Sequence, residues 1–179
     1  MNLYVVRHGQ TDYNVQKLIQ GASNVPVNET GKKQALMLKT EIDKLKIDLV
    51  IVSPLLRTRQ TAEILIGERK VKVITDDRLV ERNFGVLEGK SLDFYDASKY
   101  WNYNLNYHND DNVEKISDLF LRTKLFLDDI KQRYFDKNIL IVSHGATIRA
   151  LHFNIVGFIP GENLLKFKVN NCCLLKYSI

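Results

Sequence analysis

Short β-branched and aliphatic runs alternate along this chain with stretches whose apolar positions recur every three or four residues. The runs at 2–7, 48–52, 71–75 and 138–143 predict strands, and those at 164–169 and 172–177 are further candidates. Between them, Ala35, Leu38, Ile42 and Leu45 have helical spacing, with Asn28 placed as an N-cap. Ser53-Pro54 predicts the opening of the next helix, a cap residue followed by proline at the first helical position, where its missing N–H costs nothing. Residues 113–134 carry Ile116, Leu119, Phe120, Leu125, Leu127 and Ile130 as the buried side of a long helix. A last helix after Gly145 aligns Ile148, Leu151, His152 and Ile155.

Strands alternating with helices predict an α/β fold, a three-layer α/β/α sandwich around a largely parallel central sheet. The pattern breaks between Leu87 and Asn112, where Asn, Asp and aromatic residues (Phe94, Tyr95, Tyr100, Trp101, Tyr103, Tyr107) take over. That segment, about 90–112, reads as a small insertion over the rim of the sheet, within a single domain spanning 1–179. Its aromatics suit a local core as well as the lining of a pocket.

Composition sharpens this picture by exclusion. A chain of 179 residues, 45% hydrophobic and 26% charged, has the make-up of a globular domain and not of a disordered or fibrous one. No apolar run approaches the ~20 residues that span a bilayer, and the first strand begins at residue 2. No membrane association and no secretory leader are expected, and the expected location is cytoplasmic. The net charge of +5 is dispersed, with Lys115 near Glu114 and Asp118 and Lys131 near Asp128 and Asp129. It reads as a solvated surface and not as a nucleic-acid stripe. Cys172 and Cys173, adjacent in a strand-like run, point to opposite faces and read as apolar packing, neither a disulfide nor metal ligands. An exposed edge strand near 172–177 is compatible with a homodimer.

The candidate chemistry follows from where the strands end, because open parallel sheets bind ligands at their carboxyl edge. Strand 2–7 ends in Arg7-His8-Gly9, strand 48–52 leads through Ser53-Pro54 to Arg57, and strand 138–143 ends in Ser143-His144-Gly145. Three segments thus deliver cations and imidazoles to one rim. An imidazole can attack phosphorus, and a guanidinium offers a planar fork of donors that matches phosphate oxygens. His108, in a polar stretch, reads as exposed, and His152, within the last helix, as packed.

Arg7-His8-Gly9-Gln10-Thr11 with Asn14, Gln20-Gly21, the run from Ser53 to Ala62, Glu81 within Leu79–Gly89, and Ser143–Leu151 resemble, in order, the motifs of the histidine phosphatase superfamily, in its phosphoglycerate mutase-like branch. The resemblance implies that His8 is the nucleophile and that Arg7, Arg57 and His144 hold the phosphoryl oxygens. It also implies that Asn14 and the Gly145 N–H add donors, and that Gln20 and Gly21 line the substrate site. Glu81 then protonates the leaving group and activates water. No metal and no cofactor are implied, and the partner is a small phosphate ester. Phe84 stands where a mutase tends to have Tyr, and Leu92 where it tends to have Lys. Gln20-Gly21 and His144–Arg149 look like phosphatase members. The expectation is a metal-independent phosphatase acting on a small organic phosphomonoester. Mutase-type transfer and non-catalytic phosphate binding are the alternatives.

Overall fold

In the computed structural model, which describes residues 1–103, 111–159 and 161–179, the strands are β1 (Asn2–Arg7), β2 (Leu49–Val52), β3 (Lys72–Thr75), β4 (Asn138–Ser143) and β5 (Leu174–Ser178). The α-helices are α1 (Asp12–Val15), α2 (Glu29–Ile42), α3 (Leu56–Ile66), α4 (Ala97–Tyr100), α5 (Ile116–Arg133) and α6 (Gly145–Val156). The strand order is β3-β2-β4-β1-β5. Every pair is parallel except β1 with β5, which runs antiparallel at one edge.

Alternation within each strand divides the core in two. Leu3, Val5, Ile51, Ile139 and Ile141 face Phe126, Leu127, Ile130, Ile148 and Leu151 of α5 and α6. Val6, Val50, Val52, Leu140 and Val142 face Ile42, Ala62 and Leu65 of α2 and α3. A period of two in the sheet thus feeds two helical layers, as the three-layer α/β expectation requires. All four residues of β2 are buried, whereas β3, at an edge, is mostly exposed. No helix among the described residues is long and apolar enough to cross a membrane.

Several local expectations need correction. The segment 164–169 is not a strand, since Leu164–Lys166 forms a 3-10 turn that buries Leu164. Ser53 does not cap α3, which starts at Leu56 with Leu55 at its N-cap, because the Ser53 hydroxyl is engaged elsewhere. The long helix buries Phe126 and leaves Leu125 53% exposed, so its inward stripe is Ile116, Leu119, Phe120, Thr123, Phe126, Leu127 and Ile130. Cys172 lies in the turn before β5 with φ of 51°, and both cysteines are free and half-buried. Asn28 does cap α2, its side chain accepting from Gly31 N.

Candidate active site

Strand register assembles the site. Arg7 pairs with Ser143 across β1 and β4, and Val52 with Val142 across β2 and β4. The next residue in each strand, His8, His144 and Ser53, therefore emerges at one edge. Ladder-like bonds continue there, from His8 N to Ser143 O (3.0 Å) and from Ser53 N to Val142 O (3.1 Å). The His8 and His144 rings lie 5.3 Å apart. Gly9 follows His8 because a Cβ there would meet Gly31 O at 2.6 Å.

The two guanidinium groups are held by backbone carbonyls. Arg7 Nη1 donates to Val169 O (2.6 Å). Arg57, fully buried in the first turn of α3, donates through Nη1 to Ser23 O (2.6 Å) and through Nη2 to Gly21 O (2.8 Å). The Nε atoms of both are buried without a partner among the described residues, as is Nδ1 of His144. A buried donor left unpaired costs about 1–3 kcal/mol, so the fold bears a cost here that an anion would offset. Burial lowers both arginines, Arg57 to about 10, and leaves them cationic at neutral pH.

His8 is 2% exposed, and its Nδ1 lies 2.8 Å from Gly9 O. A carbonyl only accepts, so Nδ1 carries the proton and Nε2 keeps its lone pair. Burial, then Arg7 and Arg57, push the imidazole well below its ordinary value, which favours the neutral ring. His144 is depressed in the same way by burial and then by Arg57, His8 and Arg7, and its Nε2 meets Ser53 Oγ at 2.7 Å.

Glu81 accepts from the N–H groups of Ala146 (3.1 Å) and Thr147 (3.1 Å) in the first turn of α6, and from Arg82 N (2.9 Å). The amides at that helix end thus serve a carboxylate of the protein itself. Gly145 sits against Arg7, where a Cβ would approach Cζ to 3.5 Å. A cavity of about 160 Å³ is lined by the polar residues Arg7, His8, Asn14, Gln20, Arg57 and Glu81, by Gly21, and by Leu18, Ile19, Phe84, Leu92 and Tyr95. Gln20 Oε1 is buried there without a partner among the described residues.

Three of the insertion's aromatics divide between the two roles left open, whereas Phe94 is 70% exposed and fills neither. Tyr95 lines the cavity, while Tyr100 and Trp101 are buried. Arg82 ties them to the body, donating to Tyr100 O (2.7 Å) and Glu114 O (2.8 Å) with its guanidinium 5.4 Å from the Trp101 ring centroid. Tyr107 and His108 lie outside the described residues. His152 stacks on Phe167 at 3.6 Å and meets Tyr177 Oη, away from the cavity.

Three supporting residues are not assigned to the site by the sequence, Ser53 being expected only as a helix cap. Ser53 holds His144. Glu88 accepts from Ala22 N, Ser23 N, Ser23 Oγ and Phe84 N, and so clamps the loop whose carbonyls hold Arg57. Asn171 reaches His8 O and Asn14 Oδ1 from the other end of the chain. Glu88 sits inside a quoted motif, a signal that could have found it, whereas Asn171 sits in none.

Residues 3–179 match the model of the histidine phosphatase superfamily (branch 1). The chain is 34% identical to PhoE, an uncharacterized phosphatase of Bacillus subtilis (strain 168), over 95% of this chain and 84% of that protein. It is 32% identical to GpmB of Escherichia coli O1:K1 / APEC, a probable phosphoglycerate mutase, over 97% of this chain and 83% of that protein. The crystal structure of the α-ribazole phosphatase of Shigella flexneri superposes with a TM-score of 0.85 at 30% identity, covering 100% of this chain and 91% of that one. With His8, two buried arginines and a carboxylate lining one cavity and His144 packed behind His8, the chain belongs to the histidine phosphatase superfamily, branch 1, as a phosphatase or mutase-like enzyme.

Proposed function

We propose that this enzyme is a metal-independent phosphatase that hydrolyses a small phosphomonoester with a neutral, partly apolar leaving group, through a phosphohistidine on His8. The observation that carries this reading is the fixed tautomer of His8, a buried neutral imidazole with its Nε2 lone pair available between two arginines. Nε2 attacks phosphorus as the ester P–O bond breaks, and the proton of the monoanionic ester passes through the Glu81 carboxylate to the departing alkoxide. Water then attacks the phosphohistidine, its proton passes through Glu81 to the phosphate formed, and phosphate leaves with His8 restored. Arg7, Arg57, Asn14 and the Gly145 N–H hold the transferring oxygens. With the Ser53 hydroxyl donating to Nε2 of His144, Nδ1 carries a proton and joins them. Gly21 acts through Arg57, and Gln20 faces the bound ester. Two buried guanidinium groups supply the charge neutralisation that a dication supplies in other phosphoryl-transfer sites, and they would repel one.

Water is favoured over a second substrate hydroxyl as acceptor by the make-up of the cavity lining. Arg7 and Arg57 are its cations and both are assigned to the phosphate, which leaves Leu18, Phe84, Leu92 and Tyr95 for the leaving group. A carboxylate-bearing substrate gripped at both ends, as mutase transfer requires, finds no complement there among the described residues.

Hydrolysis of para-nitrophenyl phosphate in the presence of a chelator is the test. The expected result is turnover that survives chelation and falls by about 10⁴-fold or more in His8→Ala. Loss of activity on chelation, or full activity in His8→Ala, would overturn the mechanism. Phosphoglycerate interconversion outpacing hydrolysis would transfer the reading to a mutase.

A further inference from the structure

We infer that Asn171 is a positioning residue for phosphate binding, setting the orientation of the Asn14 carboxamide and holding the backbone of the nucleophile. This rests on the phosphatase reading above, in which Asn14 is a phosphate donor.

Asn171 Nδ2 donates to His8 O at 3.0 Å and to Asn14 Oδ1 at 3.3 Å. Asn14 Oδ1 also accepts from Thr11 N (3.1 Å) and Thr11 Oγ1 (3.2 Å). Donors from two distant parts of the chain thus converge on one carbonyl oxygen. An amide held by its oxygen in this way keeps its NH₂ for the cavity, and Asn14 lines that cavity. The reverse orientation would present a lone pair to phosphate and repel it. Thr11 and Asn14 bond each other within one short turn, so Asn171 is the member that ties this turn to the nucleophile.

The turn that carries Asn171 is itself fastened to the site. Val169 O accepts from Arg7 Nη1, and Cys172 N donates to Arg7 O (3.0 Å). Cys172 takes a φ of 51° to close the turn, a conformation costly for a side chain of its type. Residues 169–172 therefore grip Arg7, His8 and Asn14 together.

The test is a double-mutant cycle between Asn14→Ala and Asn171, using both Asn171→Ala and Asn171→Asp, with inorganic phosphate affinity and the steady-state constants as readouts and thermal melting alongside. The expected results are about threefold weaker phosphate binding in Asn171→Ala and about tenfold in Asn171→Asp, whose carboxylate accepts where a donor is needed and turns the Asn14 amide around. In the Asn14→Ala background the Asn171→Ala effect should vanish and the Asn171→Asp effect should shrink. Either folded Asn171 variant decides the matter. Fully additive losses, or melting shifts without a change in phosphate affinity, would overturn the inference and leave Asn171 a tether of the C-terminal strand. Absence of phosphate binding and of hydrolysis in the unmodified enzyme would overturn the phosphatase reading itself, and the inference with it.

Discussion

The polar and apolar parts of the cavity lining are held by different forces. Where the phosphatase reading puts phosphate, four side chains are fixed by directional bonds: Arg7 by Val169 O, Arg57 by Gly21 O and Ser23 O, His8 by Gly9 O, and Glu81 by the amides of α6. Where that reading puts the leaving group, the walls are rings in contact. Phe84 meets Tyr95 edge-on at 5.4 Å, Tyr95 stacks on Tyr100 at 5.3 Å, and Leu92 is half-exposed. Hydrogen bonds hold atoms to tenths of an ångström, which charge stabilisation in a transition state requires. Apolar contacts fill space and tolerate repacking. Changes in the polar part should penalise every substrate alike, and changes in the apolar part should reorder substrates.

The largest effect expected on that contrast is at Arg57. Arg57→Ala removes a buried guanidinium and should lower kcat/KM by about 10³-fold, by the same factor for para-nitrophenyl phosphate and for an aliphatic phosphomonoester. Steady-state kinetics on the two substrates checks it, and a penalty confined to one of them would break the division. A smaller loss is expected at Gly21, where φ is +49° and a Cβ would come within 2.0 Å of Glu88 Oε1. Gly21→Ala must displace the carboxylate that clamps the loop carrying the Arg57 acceptors. It should cost about tenfold in kcat/KM along with a lower melting temperature, since such backbone strain costs about 1–3 kcal/mol.

These two positions also mark what sequence could and could not reveal. The polar part was legible because it hangs on strand ends: once the runs 2–7, 48–52 and 138–143 are strands, His8, Arg57 and His144 must share a rim. The carbonyls that hold the arginines come from irregular turns at 21–23 and 169–172, whose shape no periodicity encodes. Ser53 shows the same limit from the other side. Serine before proline is a good helix cap by local rules, and the tertiary fold instead puts its hydroxyl 2.7 Å from His144. Leu125, expected on the buried side, is exposed and Phe126 is buried in its place, because adjacent residues on a helix differ by 100° in facing and a spacing off by one residue turns a side chain outward. The run 164–169 has strand composition, yet Leu164–Lys166 form a 3-10 turn against α6 and the run joins no sheet.

In the apolar part of the lining, Leu92→Lys sharpens the comparison. A cation on this half-exposed rim should raise the ratio of kcat/KM for 3-phosphoglycerate over para-nitrophenyl phosphate by about fivefold, the scale of a screened charge pair. Hydrolysis of para-nitrophenyl phosphate itself should change little. A uniform loss on both substrates would show that the outer wall also positions phosphorus.

The smallest effect is a stability effect, and its largest part belongs to His8 and His144, with His152, lowered by burial away from the cavity, adding a further part. His8 and His144 are both held neutral by burial and by the arginines. In the unfolded chain each imidazole protonates near its ordinary value of about 6.5, while in the native state it does not. The unfolded state therefore binds more protons below that pH, and stability falls as pH drops through it. From pH 7 to pH 6 the loss should be about 0.7 kcal/mol per histidine. Urea denaturation at the two pH values in phosphate-free buffer measures it. His144→Ala should reduce the pH-dependent loss by one histidine's share even if it lowers stability at both pH values. An unchanged pH dependence would mean that the ring is charged in the folded protein, and a charged ring there would weaken the case that burial keeps the neighbouring His8 ready to attack.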